Sequence, residues 1–165
     1  MDCYQQMNYA YQGRQPPAKL AAIASAANPS QPPASWPTQT TWISDSGATD
    51  HFTLDINNLP DCSSYTNSQQ VFVGNGQQLP ISNIGNAQLY TFSYLFNLKK
   101  LLHVPSMASH LLSVNRFCCD NNCVFYFDAD IFRIQDRPTG KPLYTGLSKD
   151  GLYSIYGYSF RRVHP

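Results

Sequence analysis

Glutamate is absent from this chain. All ten acidic residues are aspartates, so any carboxylate that moves a proton here is an Asp. Charge of either sign is scarce: charged residues make up 13% of the sequence, about half the share common in globular domains. The formal net charge of +1 lacks the basic excess of a nucleic-acid footprint, so nucleic-acid binding is not expected. No run approaches the roughly 18 apolar residues of a membrane-spanning helix. Nor does an apolar stretch of signal-peptide length precede the five cysteines. The chain is therefore expected to be soluble and cytoplasmic, with Cys3, Cys62, Cys118, Cys119 and Cys123 as free thiols. Solenoid or propeller repeats are missing, and 12 prolines favour strands and loops over long helices.

What is present falls into three stretches. Residues 1–40 read as a disordered linker, because the segment from Gly13 to Pro37 holds half of the prolines among Ala, Ser and Gln and cannot bury enough apolar surface to offset its chain entropy. From Thr41 the composition changes to short apolar runs separated by turn residues: "TWI", "VFV", "AQLYTF", "YLFNLKKLLHV", "CVFYF". Their length and their aromatic and β-branched content predict an all-β domain over 41–127, with "HLLSVNRFCC" as one short helix. Asn75-Gly76 predicts a hairpin with a type I′ turn. Residues 128–165 predict a β extension of two hairpin-like units, turning at "RPTGK" and "KDG".

The stretch "WISDSGATDHF" carries the candidate chemistry. An apolar strand leads into Asp45, followed by the small residues Ser46, Gly47 and Ala48, which let backbone approach closely. If two copies of this loop met across a twofold axis, both Asp45 carboxylates would reach one water. Like charges that close share a single proton, which supplies a general base and a general acid together for peptide hydrolysis. Ten Asp, 25 Ser or Thr and nine Gly would place about 0.08 Asp-[Ser/Thr]-Gly triplets in the chain by chance.

Other readings compete. Asp-Ser-Gly is also an ordinary turn at a strand end. Asp45, Ser46 and His51 include the residue types of a serine hydrolase triad, but no Gly-x-Ser-x-Gly elbow is present, so His51 is read as capping or packing at the loop mouth. Cys118, Cys119 and Cys123 lack the spacing of a structural zinc site. Aromatic runs without interleaved Arg and Lys read as core rather than as base-stacking platforms. No metal and no cofactor is expected.

"WISDSGATDHF", then "VFVGNGQQLPISNIGNAQL", then "LLHVPSMASHLLSVNRFCCDNNCVFYF" together resemble the retropepsin-like protease region of Copia-type retrotransposon Gag-Pol polyproteins. "IQDRPTGKPLYTGLSKDGLYSIY" similarly resembles the segment preceding integrase. "DCYQQMNYAYQG" resembles the end of a nucleocapsid zinc knuckle, with Cys3 in the place of its last ligand. The chain is thus expected to be a segment of such a polyprotein.

The resemblance implies a small closed β-barrel, active as a homodimer, that cuts peptide bonds of its own polyprotein. It makes Asp45 the catalytic carboxylate, with Ser46, Gly47 and Ala48 supporting the active loop. Gly74, Asn75 and Gly76 would belong to a flap over bound peptide, and "SHLLSV" would form the turn and short helix behind the loop. Two departures stand out. Thr49 occupies the place where retropepsins commonly have an acidic residue, with Asp50 one position later, and Ser109 and His110 replace the usual residues before the supporting helix. The alternative reading is a catalytically inactive β-barrel relic or interaction module.

Overall fold

The computed structural model describes residues 39–159. The linker expected over 1–40, with Cys3, lies outside them apart from Gln39 and Thr40, which begin the first strand. The described residues form β1 (Gln39–Asp45), β2 (Phe52–Thr53), β3 (Asp61–Ser64), β4 (Gln70–Phe72), β5 (Gln78–Pro80), β6 (Asn83–Tyr90), β7 (Leu95–His103), β8 (His110–Ser113), α1 (Val114–Asn121), β9 (Cys123–Phe127), β10 (Ile131–Asp136), β11 (Pro142–Lys149) and β12 (Leu152–Ser159).

Six strands close a barrel in the order β6, β7, β2, β8, β1, β12, with β12 returning to β6. The all-β expectation holds, with one short helix, but that helix begins only at Val114: His110–Ser113, expected to be part of it, pair with β1 as strand β8 instead. Closure depends on β12, which pairs antiparallel with β1 from Gln39↔Tyr158 to Ile43↔Ser154 and with β6 at Tyr158↔Tyr90. The barrel strand β12 therefore comes from the segment expected to form an extension. That seam is tight: a Cβ on Gly157 would lie 2.5 Å from Leu89 Cδ1 and 2.7 Å from the Tyr90 carbonyl oxygen, so only glycine fits. The other edge of β12 joins β11, and β10 and β9 follow outward. The hairpin between β11 and β12 turns at Asp150 and Gly151, both at positive φ (54° and 76°), as a type I′ turn requires.

Sequence pattern explains the longest strand. In β7, Phe96 and Leu98 point inward at period two, Lys99 and Lys100 interrupt the alternation, and Leu101 resumes it. The interruption is a bulge in which two β7 residues face Asn86 alone, between the Ala87↔Leu98 and Gly85↔Leu101 pairs. Ser113 caps α1, its Oγ accepting from the Arg116 amide at 3.3 Å, and Asn122 ends the helix in the left-handed conformation. Side chains of α1 continue the ladder where β2 is too short to cover β7. Asn121 Oδ1 accepts from the Asn97 amide at 2.8 Å, and Asp120 Oδ2 accepts from the Lys99 amide at 2.8 Å.

The main core joins barrel, helix and extension. Trp42, Phe96, Leu101, Leu112 and Phe117 are contiguous with Phe132, Ile134, Leu143 and Ile155. Burying each of the last four contributes about 1.5–3 kcal/mol, together comparable with the net stability of about 5–15 kcal/mol of a typical domain. A chain ending at Phe127 is therefore expected to lose cooperative urea unfolding, followed by Trp42 fluorescence and circular dichroism. An unchanged, cooperative midpoint in the shortened chain would show β12 to be dispensable.

Candidate functional site

The end of β1 is held on both sides. β12 pairs with it on one edge, and β8 runs parallel on the other, in the register Ile43↔Leu111 to Asp45↔Ser113. This sets half-buried Asp45 beside the N-cap of α1. Asp45 Oδ1 accepts from the Gly47 amide at 2.7 Å. A Cβ on Gly47 would lie 3.3 Å from that same oxygen, so alanine would crowd the carboxylate.

Hairpin β4–β5 faces this loop. A two-residue type I′ turn at Asn75-Gly76 is not what forms: the loop is the three residues Gly74, Asn75 and Gly76, and only Gly76 takes positive φ, 84°. The physical reason is that type I′ needs positive φ at both central residues, whereas this loop needs it only at its last position. The Gly76 amide donates to the Val73 carbonyl at 2.8 Å, and Asn75 Oδ1 accepts from the Gln77 amide at 2.9 Å.

Hairpin and loop line one cleft of about 1350 Å³. Of the expected site residues, Asp45, Gly47, Ala48, Gly74 and Asn75 face it, while Ser46 and Gly76 do not. Part of its wall is apolar, with Val71, Leu79, Ile84 and Leu111 belonging to a second core cluster that also includes Phe52, Leu102 and Met107, while Asn67, Ser68, Gln69 and Gln78 add uncharged polar lining.

The partner of Asp50 escaped the sequence reading. Arg116, in the first turn of α1, places Nε 2.7 Å from Asp50 Oδ1 and donates from Nε to the Thr49 carbonyl at 3.0 Å. Thr49 in turn donates from Oγ1 to Asp50 Oδ2 at 3.1 Å. The helix thus clamps the segment just after Ala48. The acidic residue displaced by one position still has a cationic partner. Its signal was present: in a chain so poor in charge, an Asp in the candidate loop and a lone Arg in the supporting helix make a natural pair.

Both nearby histidines are structural. His51 is fully buried rather than at the loop mouth; it packs edge-on against Phe117, with Nε2 3.5 Å from Asp120 Oδ2 and neither ring nitrogen hydrogen-bonded. Burial lowers its pKa to about 4 despite the opposing pull of Asp120. His110 packs against Trp42 and shares Nδ1 with Thr53 Oγ1 at 2.9 Å, where Asn58 Nδ2 also donates at 3.0 Å. Burial lowers its pKa to about 4 as well, against the weaker effect of Asp55.

Both rings bind protons more weakly in the folded chain than in the unfolded one, whose histidines titrate near 6.5. Stability is accordingly complete above about pH 6.5 and falls as pH drops towards 4, by on the order of 3 kcal/mol at most for each ring. Urea unfolding at successive pH values should show this loss, and His51→Leu should flatten part of it. An identical pH slope in that variant would remove His51 from the account.

Comparisons with known proteins agree with this architecture. The family profile described as "Pol polyprotein, beta-barrel domain" matches residues 42–123. The chain is 41% identical over 112 residues to the retrovirus-related Pol polyprotein from transposon RE2 of Arabidopsis thaliana. It is 42% identical over 112 residues to the corresponding polyprotein from transposon RE1 of the same plant. Each match covers 68% of this chain, which spans only 8% of the length of either relative. No solved structure matches it significantly. On these matches and the closed barrel, the chain belongs to the retrotransposon-type Pol polyproteins and carries their β-barrel domain, which the profile matches over residues 42–123.

Proposed function

We propose that this barrel is one half of a Copia-type aspartic endopeptidase, completed by a second copy of the chain and cutting peptide bonds of its own polyprotein. The observation that carries the reading is a single carboxylate, Asp45, fixed by the Gly47 amide at 2.7 Å in a cleft whose other side is the β4–β5 hairpin. A cleft of about 1350 Å³ with apolar and uncharged polar lining suits an extended peptide segment, whose side chains and backbone need both. One carboxylate does not provide both an acid and a base, so the dyad needs the Asp45 of a second copy.

In that dimer one Asp45 is ionised and the other protonated. The ionised carboxylate takes a proton from water as the water oxygen attacks the peptide carbonyl carbon. The protonated one hydrogen-bonds the developing oxyanion. Collapse of the tetrahedral species breaks the C–N bond, and the proton passes to the leaving nitrogen. Arg116 acts through Asp50, positioning the loop without touching the reacting atoms.

A second reading, a non-catalytic barrel, is favoured by one observation: the Gly47 to Asp45 hydrogen bond is also what an ordinary Asx turn makes. Sedimentation separates the two, since a strict monomer at high concentration cannot assemble the dyad.

Purified chain is expected to cleave polyprotein-derived peptides near pH 5 to 6, with inhibition by a statine-type transition-state mimic. Asp45→Asn should abolish cleavage and leave folding intact; activity surviving it would sink the proposal. Arg116→Gln should change stability by less than about 1 kcal/mol, because the pair is partly solvent-exposed. It should nevertheless lower kcat/KM about tenfold or more through a misplaced loop. Unchanged kcat/KM would deny the clamp a positioning role.

A further inference from the structure

Among the described residues, three other than glycine take positive φ: Lys100 (53°), Asn122 (47°) and Asp150 (54°). Two of them have an evident local task and a suitable side chain. Asn122 ends α1, and Asp150 opens a type I′ turn; Asn and Asp are the residues that tolerate the left-handed region best. Lys100 has neither excuse. It sits in the β7 bulge opposite Asn86, whose Oδ1 accepts the Lys100 amide at 3.0 Å and so holds the strained backbone in place. Bulges of this kind re-aim a side chain, and strain of this kind concentrates at functional positions.

The bulge delivers Lys100 to the cleft. Lys100 lines it together with Asp45, Asp50 and Arg116, whereas its bulge partner Lys99 does not. The β2–β7 register sets Phe52 opposite Leu102, so Lys100 and Asp50 each lie two residues before that pair in their own segments, and both line the cleft. Asp50 is already engaged by Arg116 at 2.7 Å and by the Thr49 hydroxyl at 3.1 Å. Lys100 is exposed and has no ion-pair partner among the described residues. A cation without an ion-pair partner thus lines a cleft whose other charged residues are Asp45 and the paired Asp50 and Arg116, and whose remaining lining mixes apolar side chains with uncharged polar ones such as Asn67, Gln69 and Gln78.

We propose that Lys100 is a specificity-determining residue that selects peptides bearing an Asp or Glu at the position passing Lys100 in the cleft. The inference rests on the endopeptidase reading for its substrate class, but peptide binding tests it separately from cleavage. A cation on a flexible stem at a wet rim discriminates modestly: about two- to fivefold is the scale of an exposed ion pair, and salt screens it.

The test uses the full chain with Asp45→Asn, so that peptide is bound and not cut. A set of dye-labelled octapeptides carries Glu or Gln at each successive position of an otherwise Ala and Leu sequence, and binding is read by fluorescence anisotropy. At one or two adjacent positions Glu should bind about two- to fivefold more tightly than Gln, with the ratio shrinking towards one at about 0.5 M salt. Adding Lys100→Asn removes the charge while keeping a residue suited to the backbone conformation, and it should abolish the preference. Lys100→Asp should reverse it in favour of a Lys-bearing peptide. Equal Glu and Gln binding at every position, absence of binding, or a preference that survives Lys100→Asn overturns the inference. The same peptides incubated with the Asp45 chain report on the other question: a Lys100-dependent preference without any cleavage leaves the specificity assignment standing and removes the endopeptidase reading.

Discussion

The pairing of β1 with a neighbour on each edge is the constraint on which the rest depends. β12 holds one edge antiparallel, and β8 holds the other parallel, so the strand cannot slip without turning Trp42 out of the core. Fixed in this way, β1 ends with Asp45 opposite Ser113, the residue that caps α1. The helix that begins there supplies Arg116 to the loop that β1 feeds. One set of backbone hydrogen bonds therefore determines where the carboxylate stands, where the helix starts and which cation reaches the loop.

The poverty of charge gives each charged residue in the cleft a separate task. Arg116 is spent on Asp50 and the Thr49 carbonyl. Outside the cleft, Asp120 is spent on the Lys99 amide, with buried His51 beside it. What is left facing the cleft is one carboxylate, Asp45, and one ammonium, Lys100.

Barrel closure also links parts of the chain that look independent. The core passes without a break from Trp42 through Phe117 to Phe132 and Leu143. The extension sheet is joined to the barrel through β12, which pairs with β11 at its start and with β6 at its end. The family profile reaches residue 123, yet the strand that closes the barrel lies beyond it.

Much of this was legible in local pattern. Short alternating apolar runs, the existence of one small helix around "VNRFCC", the Asp150-Gly151 turn and the strand-to-loop position of Asp45 are decided by period, by capping and by which residues accept positive φ. Those are properties of a few neighbours in sequence. The clamp between Arg116 and Asp50, the burial of His51 under Phe117, the meeting of hairpin and loop across one cleft and the role of β12 join residues tens of positions apart. No local preference encodes them; they follow from strand order and register. The bulge at Lys100 lies between the two cases: "LKKLL" breaks the alternation in plain sight. Only the pairing with Asn86 decided which lysine takes the strained backbone, and only the closed barrel decided that it faces the cleft.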